Sequence, residues 1–373
     1  MCKGFLNYFR ITTKSSLLTI SLLLILDLGL RLYWANLYQQ PGSVRLVNSE
    51  IESLQTMINE IKKAEGYKIV FLGDSQTYGS AVKDSSNTIP AYLERDLAKL
   101  FPDKQIKIFN LAFKGYGISE NYFILNSLIN DGVDVDLIIY NISTSWFNRN
   151  EILEHQNVVE LSDYHLEAAK LDDLKIKYDR SFREKFSAQV NLQVGNVWSL
   201  YQNRSAITGI LLGKSFREKL TDWELKLINP KEALKRQKEE KDLYQPWFSK
   251  DWDSKIGKTN YTFGTVNTNN SNPQIIFYKM ILNLLSDHEM NAIFYNSPQN
   301  TKMIDKYYGI DQEAWNKSLK NLKAITKNNY ITYLDYTNSV PDSYFSDTVH
   351  LNSRGNELLA KQLEKDIIKN RKW

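Results

Sequence analysis

The chain has 373 residues, of which 42% are hydrophobic, so it can bury a full core in one large domain or in one domain with a sizeable insertion. Its 47 basic and 43 acidic residues leave a net charge of only +4, so nothing in the composition calls for nucleic acid as a partner. The single cysteine, Cys2, excludes an intramolecular disulfide, and because it precedes the apolar run it also excludes a lipoprotein signal.

The first predicted element is a membrane-spanning signal anchor over residues 15–38. Its apolar part runs into Tyr33 and Trp34, which are residue types that prefer the membrane interface. Three basic residues and no acid lie in residues 1–14, so the positive-inside rule predicts a cytoplasmic N-terminus and an extracytoplasmic remainder. A cleavable signal peptide is the alternative, but Ala35 stands alone and no small-x-small cleavage site is present.

Two charged residues interrupt this apolar helix. Asp27 and Arg31 are four residues apart, so they can pair on one helix face, which lowers the cost of placing both near the membrane edge. The segment that follows, residues 39–66, is predicted to be a helical linker that contains an amphipathic helix over residues 48–64.

Residues 67–147 and 273–373 alternate short apolar runs with amphipathic helices, which is the pattern of a parallel sheet. The predicted strands are 68–72, 106–111, 136–142, 291–297 and 330–335, and the predicted helices are 88–101, 118–131, 273–287, 311–326 and 352–369. Five strands wrapped by helices predict an α/β fold, a flavodoxin-like three-layer sandwich with a parallel five-stranded sheet.

Residues 148–272, called the insertion below, interrupt the alternation with a mainly charged and helical composition. Lys231 to Lys241 reads as a solvated mixed-charge helix, while the apolar stretch from Val197 to Leu211 is shorter than a membrane span and is broken by Arg204. The favoured interpretation is an insertion that packs on its host without an independent fold, and the alternative is a cap over an active-site mouth. Four aromatic residues near its end are expected either to line an acceptor groove or to seat the insertion as a plug: Tyr244, Trp247, Phe248 and Trp252.

A candidate nucleophile follows the first predicted strand. The strand runs into Gly73, Asp74 and Ser75, and α/β sheets place their chemistry at the carboxyl ends of parallel strands. Asp74 is interpreted as structural. The Gly-Asp-Ser triplet alone is a weak signal, because it occurs by chance in roughly one chain of this length in twenty.

The partner that strengthens this signal lies just before the last predicted helix. Asp347 and His350 are three residues apart in a turn, so Asp347 can accept a hydrogen bond from one imidazole nitrogen and leave the other facing Ser75. The alternative is that Asp347 only caps the helix and His350 is a surface residue. The other histidines, His155, His165 and His288, show no metal-ligand spacing, so neither a metal nor a cofactor is predicted.

These segments resemble the SGNH/GDSL hydrolase family over residues 68–142 and 291–365. The resemblance implies that Ser75 is the nucleophile, His350 the general base and Asp347 the carboxylate that orients it. In the stretch from Asn110 to Gly117, Gly115 matches the family glycine whose backbone N–H serves the oxyanion hole together with the Ser75 N–H.

The third family block normally offers an asparagine, usually followed by aspartate, and no Asn-Asp pair follows the third predicted strand of this chain. Asn141 is the assigned donor, although it lies earlier than the family spacing; Ser145 lies nearer to that spacing and Asn148 lies beyond it.

The resemblance implies a membrane-anchored serine esterase or O-acyltransferase that acts on ester bonds of an envelope glycan or of another O-acylated substrate. Hydrolase and transferase stay open, since both pass through the same acyl-enzyme, and the protein partners also stay open. Anchored relatives include glycan O-acetyltransferases and the D-alanyl-transfer protein of teichoic-acid modification, which this chain resembles in layout. The alternative is a non-catalytic envelope assembly or binding protein on an SGNH scaffold, which the missing Asn-Asp pair supports.

Overall fold

The computed structural model describes residues 13–49, 51–149, 216–253 and 266–370, together with scattered residues between 153 and 207. Its centre is a sheet of five strands in the order β2-β1-β3-β4-β5, and every neighbouring pair is parallel. The strands are β1 Tyr67–Leu72, β2 Ile106–Asn110, β3 Leu137–Ile142, β4 Ala292–Asn296 and β5 Ile331–Asp335. The predicted α/β fold with a parallel five-stranded sheet is confirmed.

The helices cover both faces of this sheet and extend beyond it at the N-terminus and in the insertion. In chain order they are α1 Thr13–Leu37, α2 Ile51–Lys63, α3 Ser75–Tyr78, α4 Ile89–Leu100, α5 Ile118–Asn130, α6 Ser199–Gln202, α7 Phe216–Ile228, α8 Pro230–Leu243, α9 Pro273–Asp287, α10 Thr301–Tyr308, α11 Gln312–Ile325 and α12 Ser353–Asn370. The predicted helix 273–287 agrees with α9 at both ends, and the ends of the other predicted helices of the sheet domain lie within one residue of those observed.

Two hydrophobic clusters separate the layers. Ile69 and Phe71 of β1 lie in the cluster under α4 and α12, whereas Val70 and Leu72 lie in the cluster under α2, α5 and α9. Successive side chains of a strand point to opposite faces of the sheet, so the continuous apolar run of β1 contributes to both hydrophobic clusters. It also explains why a run of only four apolar residues is enough to mark β1, an interior strand of the sheet.

The short helix α10 is not among the helices predicted from the sequence. Asn300 caps it by accepting a hydrogen bond from the Met303 N–H, and Met303 and Ile304 are fully buried. Asn300 also donates through its Nδ2 to the Asp347 carbonyl. The helix is therefore defined by a cap and by tertiary contacts, and its eight residues are too few to give a clear period in the sequence.

Helix α2, predicted as part of a linker, packs against the sheet. Leu54, Met57, Ile58 and Ile61 are no more than 2% exposed and belong to the same cluster as Val70 and Leu72 of β1. Burial of four large side chains stabilises the fold by roughly 1.5–3 kcal/mol for each one. The segment between α1 and β1 is thus part of the domain's core.

The chain between α1 and α2 is also held closely. A turn at Pro41–Ser43 lies against α4 and β2, where the buried Glu94 carboxylate accepts the Gly42 N–H and the Ile108 N–H, each at 3.0 Å. Burial raises the pKa of Glu94 to about 7, although the two N–H donors oppose that change. Glu94 therefore links the turn after α1 to the sheet.

Stability should depend on the ionisation of Glu94. Because its folded-state pKa lies above the usual 4.5, the folded protein binds more protons between about pH 4.5 and 7, and the stability from this group falls as pH rises through that window. Glu94→Gln should reduce the change in the free energy of unfolding over this pH range, and the full contribution of Glu94 to that change is on the order of 3 kcal/mol. Thermal unfolding of the full chain in detergent at about pH 5 and about pH 7.5 measures it. Glu313→Gln, at an exposed position, is the control, and an equal flattening there would contradict the prediction.

Helix α1 stands apart from the sheet layers. Lys14–Leu37 is long and apolar enough to cross a membrane, and only 6% of its most apolar window is buried. The predicted pair is confirmed, since Arg31 Nε donates to Asp27 Oδ2 at 2.8 Å. Residues 1–12, which carry most of the predicted cytoplasmic charge, lie outside the described residues.

Only part of the insertion is described. Helix α8 includes the predicted mixed-charge helix Lys231–Lys241, and α7 packs against α8. Much of the apolar stretch from Val197 to Leu211, including both of these residues, lies outside the described residues.

Candidate active site

Ser75 lies directly after β1 on a turn of unusual shape. Gly73 has φ +150°, and a Cβ there would lie 2.3 Å from the Asn141 side-chain oxygen, so this position requires glycine. Asp74 caps the single turn of α3 by accepting the Gln76 N–H at 2.9 Å. These two constraints place Ser75 at the first position of α3, at the carboxyl edge of the sheet.

The segment before α12 brings the predicted partners to Ser75. Asp347 Oδ1 accepts the backbone N–H groups of Val349 and His350, at 2.9 and 2.8 Å, and Oδ2 lies 2.7 Å from His350 Nδ1. His350 Nε2 lies 2.8 Å from Ser75 Oγ, although the two residues are 275 positions apart. The three side chains therefore form a continuous chain of hydrogen bonds.

The charges of this pair are coupled. Burial opposes ionisation of Asp347, but His350 and two backbone N–H donors outweigh it and lower the pKa of Asp347 to about 2. Burial likewise opposes the charge on His350, but the Asp347 carboxylate outweighs it and raises the pKa of His350 above its usual 6.5. An ionised Asp347 accepts the Nδ1–H of His350, which leaves Nε2 as the acceptor for the Ser75 hydroxyl.

Gly115 lies in the loop after β2, the strand beside β1. Its φ of +81° favours glycine, and a Cβ there would lie 2.9 Å from the Glu154 carboxyl group. The ring of Phe113, two residues before it, contacts the ring of Tyr78 in α3 at 5.2 Å between centroids. The structure therefore brings the Gly115 loop into contact with the helix that begins at Ser75.

The start of the insertion is fastened beside this loop. The buried Glu120 carboxylate accepts the N–H groups of Glu154 and His155 through Oε1, and it accepts the Gly117 N–H through Oε2. His155 Nε2 lies 2.9 Å from the Lys114 carbonyl oxygen. Burial raises the pKa of Glu120 although its donors oppose that change. The insertion thus enters next to Gly115.

The structure places Asn141 inside β3, only 2% exposed, beneath the turn that carries Ser75. Its side-chain oxygen accepts the Asp74 N–H at 3.2 Å, and its Nδ2 donates to Ser297 Oγ at 2.8 Å, to Gln76 Oε1 at 3.1 Å and to Asp74 Oδ1 at 3.4 Å. Because both amide hydrogens point to these buried oxygens, the contacts describe a support of the turn and do not support Asn141 as an oxyanion donor.

The two alternatives for this donor follow β3. Ser145 lies in the 3-10 turn Thr144–Asn148, and Ser143 lies just before that turn. Ser145 Oγ is 3.0 Å from Ser143 Oγ. The Asn148 side-chain oxygen accepts the Asn267 N–H at 3.0 Å, which joins the two ends of the insertion. Ser145 is half-buried near the end of β3. Asn148, in contrast, belongs to the base of the insertion.

Two supporting residues were missed by sequence reasoning. Gln76, next to Ser75, accepts from Asn141 and donates through Nε2 to the Val349 carbonyl at 2.9 Å. It therefore joins the turn of residues 73–76, called the serine turn below, to the segment of residues 347–350, called the histidine loop below. Trp146 donates through Nε1 to Asp74 Oδ2 at 3.0 Å. Their only sequence signal is proximity to Ser75 and to the end of β3, because the contacts join segments far apart in the chain.

The end of the insertion is seated on the other side of the site. The Trp247 N–H donates to the Phe345 carbonyl at 3.0 Å, its Nε1 donates to the Asp342 carbonyl at 2.9 Å, and its ring is 7% exposed. Lys250 Nζ donates to the Ser346 carbonyl, and its charge acts to lower the pKa of His350, against Asp347. The four aromatic residues near the end of the insertion were expected either to line an acceptor groove or to seat the insertion as a plug. Trp247 makes the contacts of a plug, whereas Phe248 is 62% exposed and does not.

Residues 217–365 match the family model described as DltD protein, which is less than half of the chain but includes Asp347 and His350. A search of the curated proteins found no match.

Several solved structures are similar at low identity. A catalytic mutant of the acetylxylan esterase Axe2 from Geobacillus stearothermophilus is 11% identical, with a TM-score of 0.38, covering 84% of this chain and 98% of that one. A family two carbohydrate esterase from Clostridium thermocellum in complex with cellohexaose is 11% identical, with a TM-score of 0.35, covering 81% of this chain and 64% of that one. Such values establish neither a substrate nor a reaction. The family match includes Asp347 and His350, and the parallel sheet brings Ser75 and His350 together at one edge, which is the arrangement that the resemblance to the SGNH/GDSL hydrolase family implies.

Proposed function

We propose that the protein is a membrane-anchored serine esterase or O-acyltransferase whose nucleophile is Ser75. The observation that carries this proposal is the hydrogen-bond chain from Ser75 Oγ through His350 to Asp347, with separations of 2.8 and 2.7 Å. Acyl transfer needs an activated nucleophile, a base and a group that orients the base, and these three side chains supply all of them. The match of residues 217–365 to the DltD protein family supports the same class of chemistry.

The first half of the reaction forms an acyl-enzyme. Ser75 Oγ attacks the acyl carbonyl while its proton passes to His350 Nε2, and Asp347 holds the Nδ1–H and stabilises the imidazolium. The backbone N–H groups of Ser75 and Gly115 are the proposed donors to the oxyanion; loss of one such donor typically costs about 100- to 1000-fold in rate. Collapse of the intermediate breaks the ester bond, and His350 returns its proton to the leaving alcohol.

The second half releases the acyl group. His350 removes a proton from water or from an acceptor hydroxyl, which attacks the acyl-enzyme carbonyl, and the departing Ser75 oxygen takes that proton back. Water gives hydrolysis and a sugar hydroxyl gives transfer. An O-acylated envelope glycan is the proposed substrate class, because a membrane-spanning α1 would hold the site at the envelope.

The proposed activity has a direct test. The full chain in detergent should release nitrophenol from an activated acetate ester, and adding a soluble glycan acceptor should divert acetate from water to the glycan if the enzyme is a transferase. The full chain is used because Leu46 and α2, both membrane-proximal, belong to the core. A folded chain without esterase or transferase activity would favour the alternative, an assembly or binding protein on the same scaffold.

The proposed topology makes a separate prediction. If α1 spans the membrane with its N-terminus inside, a reporter fused after Trp373 should be active only when the reporter functions outside the cytoplasm. Replacing Lys14, Arg10 and Lys3 with glutamine should reduce that bias, since these cations are the proposed topology signal. A reporter that functions only in the cytoplasm would refute the extracytoplasmic placement.

Gln76 is proposed as a positioning residue. Gln76→Leu would remove the donor to the Val349 carbonyl and would leave one Asn141 amide hydrogen with only the longer contact to Asp74 Oδ1, so the histidine loop should be held less firmly against Ser75. We expect kcat to fall by about 10- to 100-fold with little change in KM, since both Gln76 bonds are to the protein itself. Steady-state kinetics measure this split, and Gln76→Glu, which keeps Oε1 but loses the Nε2 donor, separates the two bonds. An increase in KM alone would contradict the positioning role.

A further inference from the structure

A polar contact joins the insertion to the membrane helix. The Leu200 N–H of α6 donates to Asp27 Oδ1 of α1 at 2.8 Å, and α6 packs against α1. The other carboxylate oxygen of Asp27 accepts from Arg31, and Asp27 is only 8% exposed. This residue therefore bonds a segment that lies 173 positions away in the chain.

The contact lies at the level of the apolar surface of α1. On the same turns of the helix, Leu24, Leu26 and Leu28 are 65%, 50% and 59% exposed. A helix with leucines exposed around Asp27 is surrounded by lipid at that level if α1 spans the membrane. The segment that bonds to Asp27 then lies at the same level.

The aromatic residues of α1 allow the depth to be estimated. Tyr33 and Trp34 follow Asp27 by six and seven residues, and residues of these types mark the membrane interface. At a rise of 1.5 Å per residue, Asp27 lies about 10 Å on the membrane side of that interface. Leu200 is carried to a similar depth by its hydrogen bond.

The chemistry of the contact suits an apolar environment. The first N–H groups of a helix have no partner within the helix, and an unsatisfied N–H in lipid costs several kcal/mol. The Asp27 oxygen satisfies the Leu200 N–H in the first turn of α6, while Arg31 compensates the charge of Asp27.

The residues around α6 are of the types found at membrane interfaces. The rings of Trp198 and Tyr201 are stacked, with 6.4 Å between centroids. The Arg204 guanidinium lies 4.1 Å from the centroid of the Tyr201 ring, and its Nη1 donates to the Tyr201 carbonyl at 2.8 Å. Aromatic rings beside arginine combine an apolar body with a polar end, which favours the boundary between lipid and water.

We propose that α6 is a second membrane-inserted element, which enters the outer half of the bilayer beside α1 and is held there by the Asp27 carboxylate. The partner of this surface is the phospholipid bilayer itself, and the inference rests on the proposed anchoring by α1. The contacts of the described residues then hold the insertion at Asp27, at Glu120 beside the Gly115 loop, and at Phe345 through Trp247, among other places. It connects the membrane to both sides of the active site and sets the orientation of Ser75 toward the bilayer.

Photolabelling from lipid tests this placement. The full chain is reconstituted in vesicles of phosphatidylglycerol and phosphatidylethanolamine that contain a phospholipid with a carbene precursor in its acyl chain, and labelled peptides are mapped after proteolysis. We expect label in α1 and in residues 198–204, and only background in α12, which packs against α4 in the sheet domain. Asp27→Leu should reduce the label in residues 198–204 to the α12 background while α1 stays labelled. Asp27→Asn keeps an acceptor oxygen for the Leu200 N–H and should retain the label.

The outcomes separate this inference from the anchoring on which it rests. Label in α1 with background in residues 198–204 of the unaltered chain overturns the membrane placement of α6 and leaves the anchor intact. Background in both segments overturns the anchoring itself. Undiminished label in residues 198–204 of a folded Asp27→Leu variant overturns the role of Asp27. If that variant fails to fold, the unaltered chain and Asp27→Asn still decide the placement.

Discussion

Ser75→Ala is expected to lower esterase activity of the full chain by about 10⁴- to 10⁶-fold. The hydroxyl oxygen at 2.8 Å from His350 Nε2 is the atom that forms the acyl bond, so its removal leaves only binding and the oxyanion donors. The fold should be retained, because alanine fits at the first position of a one-turn helix that is capped by Asp74. The release of nitrophenol from an activated acetate ester measures the loss.

A covalent probe tests the role of Ser75 as nucleophile without the natural substrate. A fluorophosphonate should label the full chain on Ser75, and Ser75→Ala should abolish the labelling. Ser80→Ala is the matched control, since the Ser80 hydroxyl is buried without a hydrogen-bond partner in the part of the chain that the structure describes. A folded protein that resists the probe, together with a Ser75→Ala variant that behaves normally in cells, would contradict the proposal of an enzyme. These results would favour the alternative, an assembly or binding protein on the same scaffold.

His350→Ala should cost about as much as Ser75→Ala, whereas Asp347→Asn should leave a remnant after a loss of about 10³- to 10⁴-fold. His350 accepts the nucleophile's proton, so no other described side chain takes its place in the 2.8 Å contact with Ser75. Asp347 only orients and stabilises the imidazole, and asparagine keeps its shape but can donate a hydrogen to Nδ1 and so favour the wrong tautomer. Equal and complete losses in both variants would contradict this division of roles.

The pH dependence follows from the same pair. Because only neutral His350 can accept a proton, kcat/KM should rise with pH through the pKa of His350, and that midpoint should lie above the usual 6.5 because Asp347 stabilises the charged ring. In Asp347→Asn the stabilising anion is gone, so the midpoint of the remaining activity should move to lower pH. A pH–rate profile of both proteins measures this change. A midpoint that does not move, or moves upward, would show that Asp347 does not control the ionisation of His350.

Several parts of the fold could be predicted because they depend on local pattern. Four apolar residues from Ile69 to Leu72 marked a strand buried on both faces, and Pro273 placed the start of α9. The Asp347-x-x-His350 frame and the Gly73-Asp74-Ser75 turn could be related to each other because the carboxyl ends of parallel strands meet at one edge.

Asn141 shows where local pattern is insufficient. Its position after the apolar part of β3 suggested a donor in the active site, but a strand alternates its side chains, and the face on which this one lies holds Asp74, Gln76 and Ser297. The competition between these buried oxygens and a substrate oxygen for the same two amide hydrogens is a tertiary property. No spacing in the sequence reports it.

Local patterns were enough to predict the α/β class, the apolar N-terminal helix with its Asp27–Arg31 pair and the candidate residues Ser75, Asp347 and His350, because periodicity, i,i+4 spacing and short turns depend on neighbouring residues. Only the tertiary structure decided what the long-range contacts do. It placed Asn141 beneath the serine turn, joined that turn to the histidine loop through Gln76, and bonded Asp27 to Leu200 across 173 residues. These bonds join groups whose separation along the chain carries no period, and they exist only because packing of the helices on the sheet brings the segments together.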